Sequence, residues 1–425
     1  MNREISQYIQ RFLILVCVVV PLLVCADTKS ELEQKIKERN QAIAALEKEI
    51  AQVKNEIDTA STQVKSLEGY IKTLDLTINK LNKDSRVAEN QIVATTYKIE
   101  SLTESIEDKT KTIDHNRRAI ALLLRDIRKN DDQTLVSAVL GTYTLSSIWN
   151  AIDTANTVTD AIAEKTHEIT TAKTQLETAK QAQEKARVEL EQYKKDLVAK
   201  QTIIAGNKKE KAVVLKDTKN KESAYKALLD KKEALKVAFE NELTQYESEL
   251  KLAVDVSKLP SVGTGVLSWP LDGVKITQYF GNTPFATKNP QIYSSRGHNG
   301  VDFRASTGTK IKAALSGTVA GVGNTDNFAG CYSYGKWVLI THGNGLSTLY
   351  AHLSYIGVNQ GDKVTTGQTI GYSGNTGYST GPHLHFGVYA SQGVQIITYS
   401  KSKNCHNAVI PIADPKAYLN PLSYL

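Results

Sequence analysis

G-P-H-L-H-F-G-V, residues 381–388, is the stretch whose reading decides the fold of this chain's C-terminal part. His383 and His385 alternate with Leu384 and Phe386, and Val388 carries the alternation on, which is the period-two pattern of a β-strand. On such a strand both imidazoles point to one face, so one can bind a metal while the other meets substrate. Further donors lie upstream. R-G-H-N-G-V-D-F at 296–303 offers His298 and Asp302, and Y-A-H-L at 350–353 offers His352 from a separate strand. Four of the chain's eight histidines fall in these stretches, so they are concentrated there rather than scattered. A catalytic zinc takes three nitrogen or oxygen ligands and keeps a fourth position for water, whose pKa it lowers towards neutrality. A histidine pair beside that water suits general-base and oxyanion-stabilising work. His342 and His406 stand outside these stretches and carry no such role.

From about Trp269 to Tyr389 the chain resembles the lysostaphin-type (LytM) zinc peptidases, whose pattern is H-x-G-x-D, then Y-A-H-L, then G-P-H-L-H-F. The resemblance implies Zn2+ held by His298, Asp302 and His385, with His352 and His383 as the catalytic histidines. It also implies an antiparallel β-rich groove and hydrolysis of the peptide cross-links of bacterial peptidoglycan. Gly387 departs from the pattern, because many relatives carry an acidic residue there. That departure touches substrate preference rather than the ligands. The loops at 281–293 and 324–335 are expected to border the groove.

Composition divides the chain near residue 255. Before it, glycine is almost absent and Lys, Glu, Ala, Ile and Leu dominate; after it come most of the glycines and prolines. The expected fold class is therefore multidomain α + β, a long α-helical coiled coil followed by a mainly antiparallel β peptidase domain over 267–425. A linker at 253–266 joins them, and K-L-P-S-V-G-T-G at 258–265 lets the domain re-orient without straying far. Cys331 and Cys405 lie in loop-like segments of the peptidase domain and are the expected disulfide pair.

The helical half repeats at three and four residues. From Leu32 the core positions run Ile36, Arg39, Ile43, Leu46, Ile50, Val53, Ile57, and the register continues through Leu74, Leu81, Ala88, Ile92, Ile99, Asn116 and Ile127. A 3.5-residue period over many heptads is the mark of a left-handed coiled coil, here expected over 27–130. A looser repeat, over 166–252, includes Leu176, Leu190, Leu197, Leu215, Leu229 and Tyr246, with Gly206-Asn207 as a candidate break. Between them, 131–165 forms an apolar, charge-poor interruption in which Gly141 and Ser146-Ser147 predict helix breaks. A hairpin within one chain is the economical arrangement, and a parallel homodimer is the alternative.

Arg3 and Arg11 precede an apolar run ending at Cys25-Ala26, the length of a signal peptide's core and short for a membrane span. Cleavage before Asp27 is the preferred reading, with lipidation of Cys25 or retention as an anchor as alternatives. Each places the body of the protein outside the cytoplasm, in the periplasm, in the envelope or in the medium. The net charge of +7 is spread along mixed helical faces, and no phosphate loop or nucleic-acid signature appears. Coiled coil, interruption, second coiled coil and peptidase domain together resemble the EnvC-like cell-division murein hydrolases and activators. That resemblance implies a membrane ABC-type complex as a partner, besides peptidoglycan peptides. It also implies the competing reading of a non-catalytic activator of other wall hydrolases. The tethering of a wall-cutting domain to an arm predicts control, with the 134–165 segment expected to cover the groove at rest.

Overall fold

The computed structural model describes residues 29–60, 66–130, 145–249, 257, 259–283, 297–400, 402 and 404–425. Residues 1–26, where a signal peptide is expected, residues 131–144 of the expected apolar interruption, residues 253–256 and 258 of the expected linker, and residues 284–296 lie outside them. Among the described residues four helices come first: α1 (Lys29–Ala60), α2 (Leu67–Asn130), α3 (Leu145–Thr218) and α4 (Glu222–Glu249). Their sequences are rich in Ala, Leu, Lys, Glu and Gln, the strongest helix formers after proline and glycine are excluded. Among the described residues no helix is long and apolar enough to cross a membrane.

The contacts divide the chain into two units. In the first, α2 from Asn90 and α3 to Tyr193 pack antiparallel. Asn116 Nδ2 donates to Glu168 Oε2 at 2.7 Å, Gln183 Nε2 donates to Thr103 Oγ1 at 2.7 Å, and Lys98 faces Glu189 at 3.9 Å. Ile113 on α2 and Ala172, Ala179 and Ala186 on α3 are buried. Asn116 holds a heptad core position and is only 2 % exposed, but the Glu168 carboxylate satisfies its amide across the seam.

The second unit holds 43–89, 194–249 and the β-domain. Here the helical breaks differ from the expected ones. Gly206-Asn207 lies inside α3 and does not interrupt it, since one glycine costs only about 1 kcal/mol in a helix of 74 residues. Ser146-Ser147 likewise falls within α3. The second periodic segment breaks instead after Thr218, where Lys219 and Asn220 take φ of 48° and 60°, left-handed values that end the α-helical ladder. Among the described residues the first periodic segment comprises α1 and α2.

Among the described residues the β-domain comprises one antiparallel sheet of ten strands and a two-stranded ribbon. Along the chain run β1 (Ile276–Gln278), β2 (Val301–Arg304), β3 (Lys310–Lys312), β4 (Gly317–Asn324), β5 (Lys336–His342) and β6 (Leu346–Ile356). Then come β7 (Lys363–Val364), β8 (Thr369–Ser373), β9 (His383–Ala390), β10 (Val394–Tyr399), β11 (Ala408–Ala413) and β12 (Tyr418–Leu419). The main path is β1-β2-β9-β6-β5-β4-β7, with β12 on β9 and with β3-β8 on β6, while β10 and β11 form the ribbon. Val301, Phe303, Leu384, Phe386, Val388, Tyr350 and Ile340 meet in the core, so the apolar half of the H-L-H-F alternation points inward and the histidine half outward. The linker is partly fastened: Gly263 N donates to Ser423 O at 3.0 Å and Leu267 N to Tyr424 O at 2.7 Å. Cys331 and Cys405 are joined by a disulfide.

Candidate active site

Strand β9 lies between β2 and β6, and that position assembles the site. Asp302 on β2 stands directly opposite His385 on β9, and Ala351, the neighbour of His352, stands opposite His385 on the other side. Cross-strand partners keep their side chains within contact on one face. His298 is pinned three residues before β2 by paired backbone bonds with Gly281, of 2.9 and 2.8 Å. Its Nδ1 lies 3.0 Å from the Tyr279 carbonyl oxygen. An Nδ1–H donated to that oxygen leaves Nε2 with its lone pair.

Three donor atoms then converge. His298 Nε2, His385 Nδ1 and Asp302 Oδ1 lie 3.1, 3.0 and 3.3 Å from one another. Ligands about 2.0–2.1 Å from a tetrahedral zinc are separated by roughly 3.3–3.4 Å, so the triangle fits one ion with a small expansion. A two-imidazole, one-carboxylate set is also the donor chemistry that suits zinc. The fit depends on Gly300, a residue to which sequence reasoning gave no role. A Cβ there would stand 2.8 Å from His385 Nε2 and 2.6 Å from the Phe386 carbonyl oxygen. The signal was present as the glycine of H-N-G-V-D.

His352 and His383 stand beside this triangle, their ring centroids 4.7 Å apart. His352 has φ of 60°, an uncommon conformation for a non-glycine residue inside a strand, and β6 shifts register against β5 at that point. Its Nδ1 lies 2.8 Å from the Thr376 carbonyl oxygen, while His383 Nδ1 lies 2.8 Å from that of Gly381 and 3.0 Å from Ser379 Oγ. Both rings thus spend Nδ1 on the T-G-Y-S-T-G loop and keep Nε2 for the cavity.

Residues 296–397 match peptidase family M23. The chain carries an M23 domain of the lysostaphin type. It is similar to the DD-carboxypeptidase/endopeptidase Mpg of Neisseria meningitidis, 41% identical over 106 residues, which are 25% of this chain and 23% of that protein. It is similar also to the peptidoglycan DD-endopeptidase ShyA of Vibrio cholerae, 42% identical over 117 residues, 27% of this chain and 24% of that one. The chain therefore spans about a quarter of the length of these curated relatives. Among solved structures, the catalytic domain of lysostaphin from Staphylococcus simulans is 35% identical, with 28% of this chain and 83% of that one covered and a TM-score of 0.25.

Electrostatics in the M23 domain follow from burial. Burial pushes the Asp302 carboxyl up, but the surrounding imidazoles of His298, His383 and His385 outweigh it and hold the group well below the usual carboxylate range. Burial drives His352 well below the ordinary imidazole value, and the neighbouring His383 and His385 add to the shift. His385 is lowered by burial too, with the Asp302 carboxylate opposing. Without metal, then, the site favours an ionised carboxylate and neutral imidazoles at His352 and His385, the protonation states that ligation and general-base work need.

One wall of the M23 cavity is not part of the M23 domain. The cavity, of about 430 Å³, is lined by His298, Asp302, His352, His383 and His385 and also by Lys236, Glu240, Leu243, Thr244 and Glu247 of α4. Phe239 and Leu243 are buried with Tyr399, Ile410, Ile412 and the Cys331–Cys405 disulfide. Phe239 meets Tyr399 edge to face at 5.8 Å. Glu247, 4 % exposed, accepts hydrogen bonds from Ala413 N at 3.2 Å and from the Tyr418 hydroxyl at 2.6 Å. Lys236 Nζ lies 4.0 Å over the Tyr378 ring. Among the described residues the helical side chains that line the groove are Lys236, Glu240, Leu243, Thr244 and Glu247. Of the expected stretch, 134–144 lies outside the described residues and the remainder falls in the first unit. Of the loops expected at the rim, 281–283 and 324–335 are described, and Ser333 and Tyr334 of the latter line the cavity.

Proposed function

We propose that this protein is a zinc-dependent endopeptidase that cleaves the peptide cross-links of bacterial peptidoglycan and is held latent by α4. The observation that carries the reading is the convergence of His298 Nε2, His385 Nδ1 and Asp302 Oδ1 on one point beside two further imidazoles. A zinc ion on that point would supply Lewis-acid polarisation of the scissile carbonyl and activation of a water. The chain's residues do the rest. One imidazole, His352 or His383, takes the water's proton at Nε2 and passes it to the leaving amine, and the other donates to the carbonyl oxygen as charge develops there. Both rings are held for this work by their Nδ1 bonds to Thr376 and Gly381. The substrate class comes from the relatives, whose names include peptidoglycan DD-endopeptidase. A wall substrate carries export with it, and a disulfide suits an oxidising compartment.

Latency is supported by α4, which stands where a substrate peptide would approach the five residues. Release then requires a force on the helical arm, and a membrane-borne partner is the simplest source. The same contact supports a second reading, a non-catalytic activator whose groove serves only to bind another hydrolase when α4 moves. The intact ligand triangle weighs for the enzyme. Digestion of purified peptidoglycan by the full chain and by an α4-loosened variant, with zinc and with chelator, tests the two, with mass spectrometry of the soluble peptides. New peptide termini from the zinc-loaded variant alone are expected; intact wall from a variant that carries one zinc per chain leaves the activator.

A further inference from the structure

Glu247 makes contacts that α4 does not need for its own folding. The side chain is acidic and yet 4 % exposed. Its Oε1 collects two donors, Ala413 N at 3.2 Å and the Tyr418 hydroxyl at 2.6 Å. The shorter distance is that of a hydroxyl donating to an ionised oxygen. Burying a carboxylate is costly unless such donors receive it, so the two donors form a built anion site and Glu247 is its occupant. Both donors are fixed by the β-domain. Ala413 ends β11 opposite Val394, and Tyr418 on β12 stands opposite Tyr389 on β9. Neither lies within the matched residues 296–397. The site is on the same face as the catalytic histidines. His383, His385, Gly387 and Tyr389 alternate along β9 and so share one face, and Gly387 puts no side chain between His385 and Tyr389. Tyr418 and the histidines line one cavity. Into that cavity α4 carries a second carboxylate, Glu240, two helical turns before Glu247 and about 10 Å away along the axis. Burial pushes the Glu240 carboxyl up, and Lys236 and His298 nearby draw it down. Glu240 thus marks the His298 end of the groove and Glu247 the far end.

We propose that the Ala413 N–H and the Tyr418 hydroxyl form a carboxylate subsite for the substrate, and that Glu247 fills it as a substrate mimic while α4 is docked. When α4 leaves, both donors lose their acceptor, and a carboxylate on an incoming peptide restores it. The ligand class is a short peptide with a free carboxylate, terminal or on a side chain. That group lies about three residues of extended chain from the ligand triangle, since such a chain advances about 3.3–3.6 Å per residue. That the peptide belongs to the wall rests on the proposed function; the preference for a carboxylate does not.

The test is calorimetry on the full chain carrying Phe239→Ala, which removes a buried anchor of α4. The probes are acetyl-trialanine and its C-terminal amide, each titrated into zinc-loaded and metal-depleted protein. The acid should bind at least about tenfold more tightly than the amide in both forms, because only the acid brings a charged oxygen to the two donors. Tyr418→Phe in the same background should cancel that preference with zinc content unchanged. A second measurement needs no variant. In the wild-type chain the acid should speed cleavage of α4 by a Glu-specific protease and the amide should not, because the acid competes with Glu247 for the same donors. Equal affinity for acid and amide, equal acceleration by both, or no saturable binding of either up to about 10 mM overturns the proposal. A preference that survives Tyr418→Phe overturns it too, as does one that disappears with the metal, which places the carboxylate on the ion. None of these readouts uses wall cleavage. A chain that shows the preference and digests no wall loses the proposed enzyme and keeps the subsite.

Discussion

Replacing Phe239 by Ala should release the proposed wall-cleaving activity. The side chain is fully buried between α4 and the ribbon, against Tyr399, Ile410, Ile412 and the Cys331–Cys405 disulfide. Deleting a buried phenylalanine costs about 3–5 kcal/mol. When α4 leaves the groove the ring loses these partners whatever residue stands there, so the cost falls mainly on the docked state. At about 3 kcal/mol the undocked population rises by about two powers of ten, until undocking saturates. The assay is release of soluble fragments from dye-labelled peptidoglycan by the zinc-loaded full chain, with wild type and Phe239→Ala side by side. Protease sensitivity of 236–247 reports undocking independently, and zinc content and thermal unfolding show that the β-domain is intact. A variant whose α4 is cut readily, that binds zinc fully, and that digests wall no faster than wild type would refute the reasoning that α4 limits access.

Four further outcomes are expected. His298→Ala and His385→Ala should lose zinc, whereas His352→Ala should keep one zinc per chain and lose turnover by about two to four powers of ten, the range for a general base; metal analysis beside the wall assay on an α4-loosened background separates them, and full zinc in His385→Ala would break the ligand assignment. Gly300→Ala should weaken zinc binding by at least about tenfold through displacement of the His385 ring, as read by competition with a chromogenic chelator. Denatured, unreduced protein spanning residues 27–425 should show no free thiol, because Cys331 and Cys405 are bonded; two thiols would contradict it. Burial holds the His342 imidazole below its ordinary value, with Nδ1 3.1 Å from the Ser316 carbonyl oxygen and Nε2 2.9 Å from the Thr348 hydroxyl. The unfolded chain then binds more protons than the folded one as pH falls through the ordinary histidine range. That stability is present above the range and lost on acidification, so His342→Gln should flatten the fall in melting temperature between about pH 7 and 5.

Much of the site was legible because its donors are few and their spacing is local. The alternation His383-Leu384-His385-Phe386 is enough to put both imidazoles on the face opposite the core, and His298 and Asp302 are separated by only a short turn into β2. Composition alone separated the helical half from the β-domain, since glycine and proline are excluded from one and required in the other. The 3.5-residue repeat was likewise enough to mark residues such as Leu32, Ile57, Leu81 and Ala88 as buried. Helix ends were less legible. Single weak residues such as Gly206 or Ser146 are tolerated within a long packed helix, so the breaks settle where the backbone is turned, at Lys219 and Asn220.

What the sequence determined is thus the part set by local periodicity and by residue chemistry: the fold class, the inward and outward faces of β9, and the five residues of the groove. Only the tertiary structure decided which residues meet across long separations. It set Asp302 opposite His385, assigned Gly300 its clearance beside that ring, and brought α4 to the groove through Phe239 and Glu247. Such meetings depend on how helices and strands pack, and no period in the chain encodes them. A helix reports from its sequence that it has an apolar face, but the surface that covers that face is chosen by the fold.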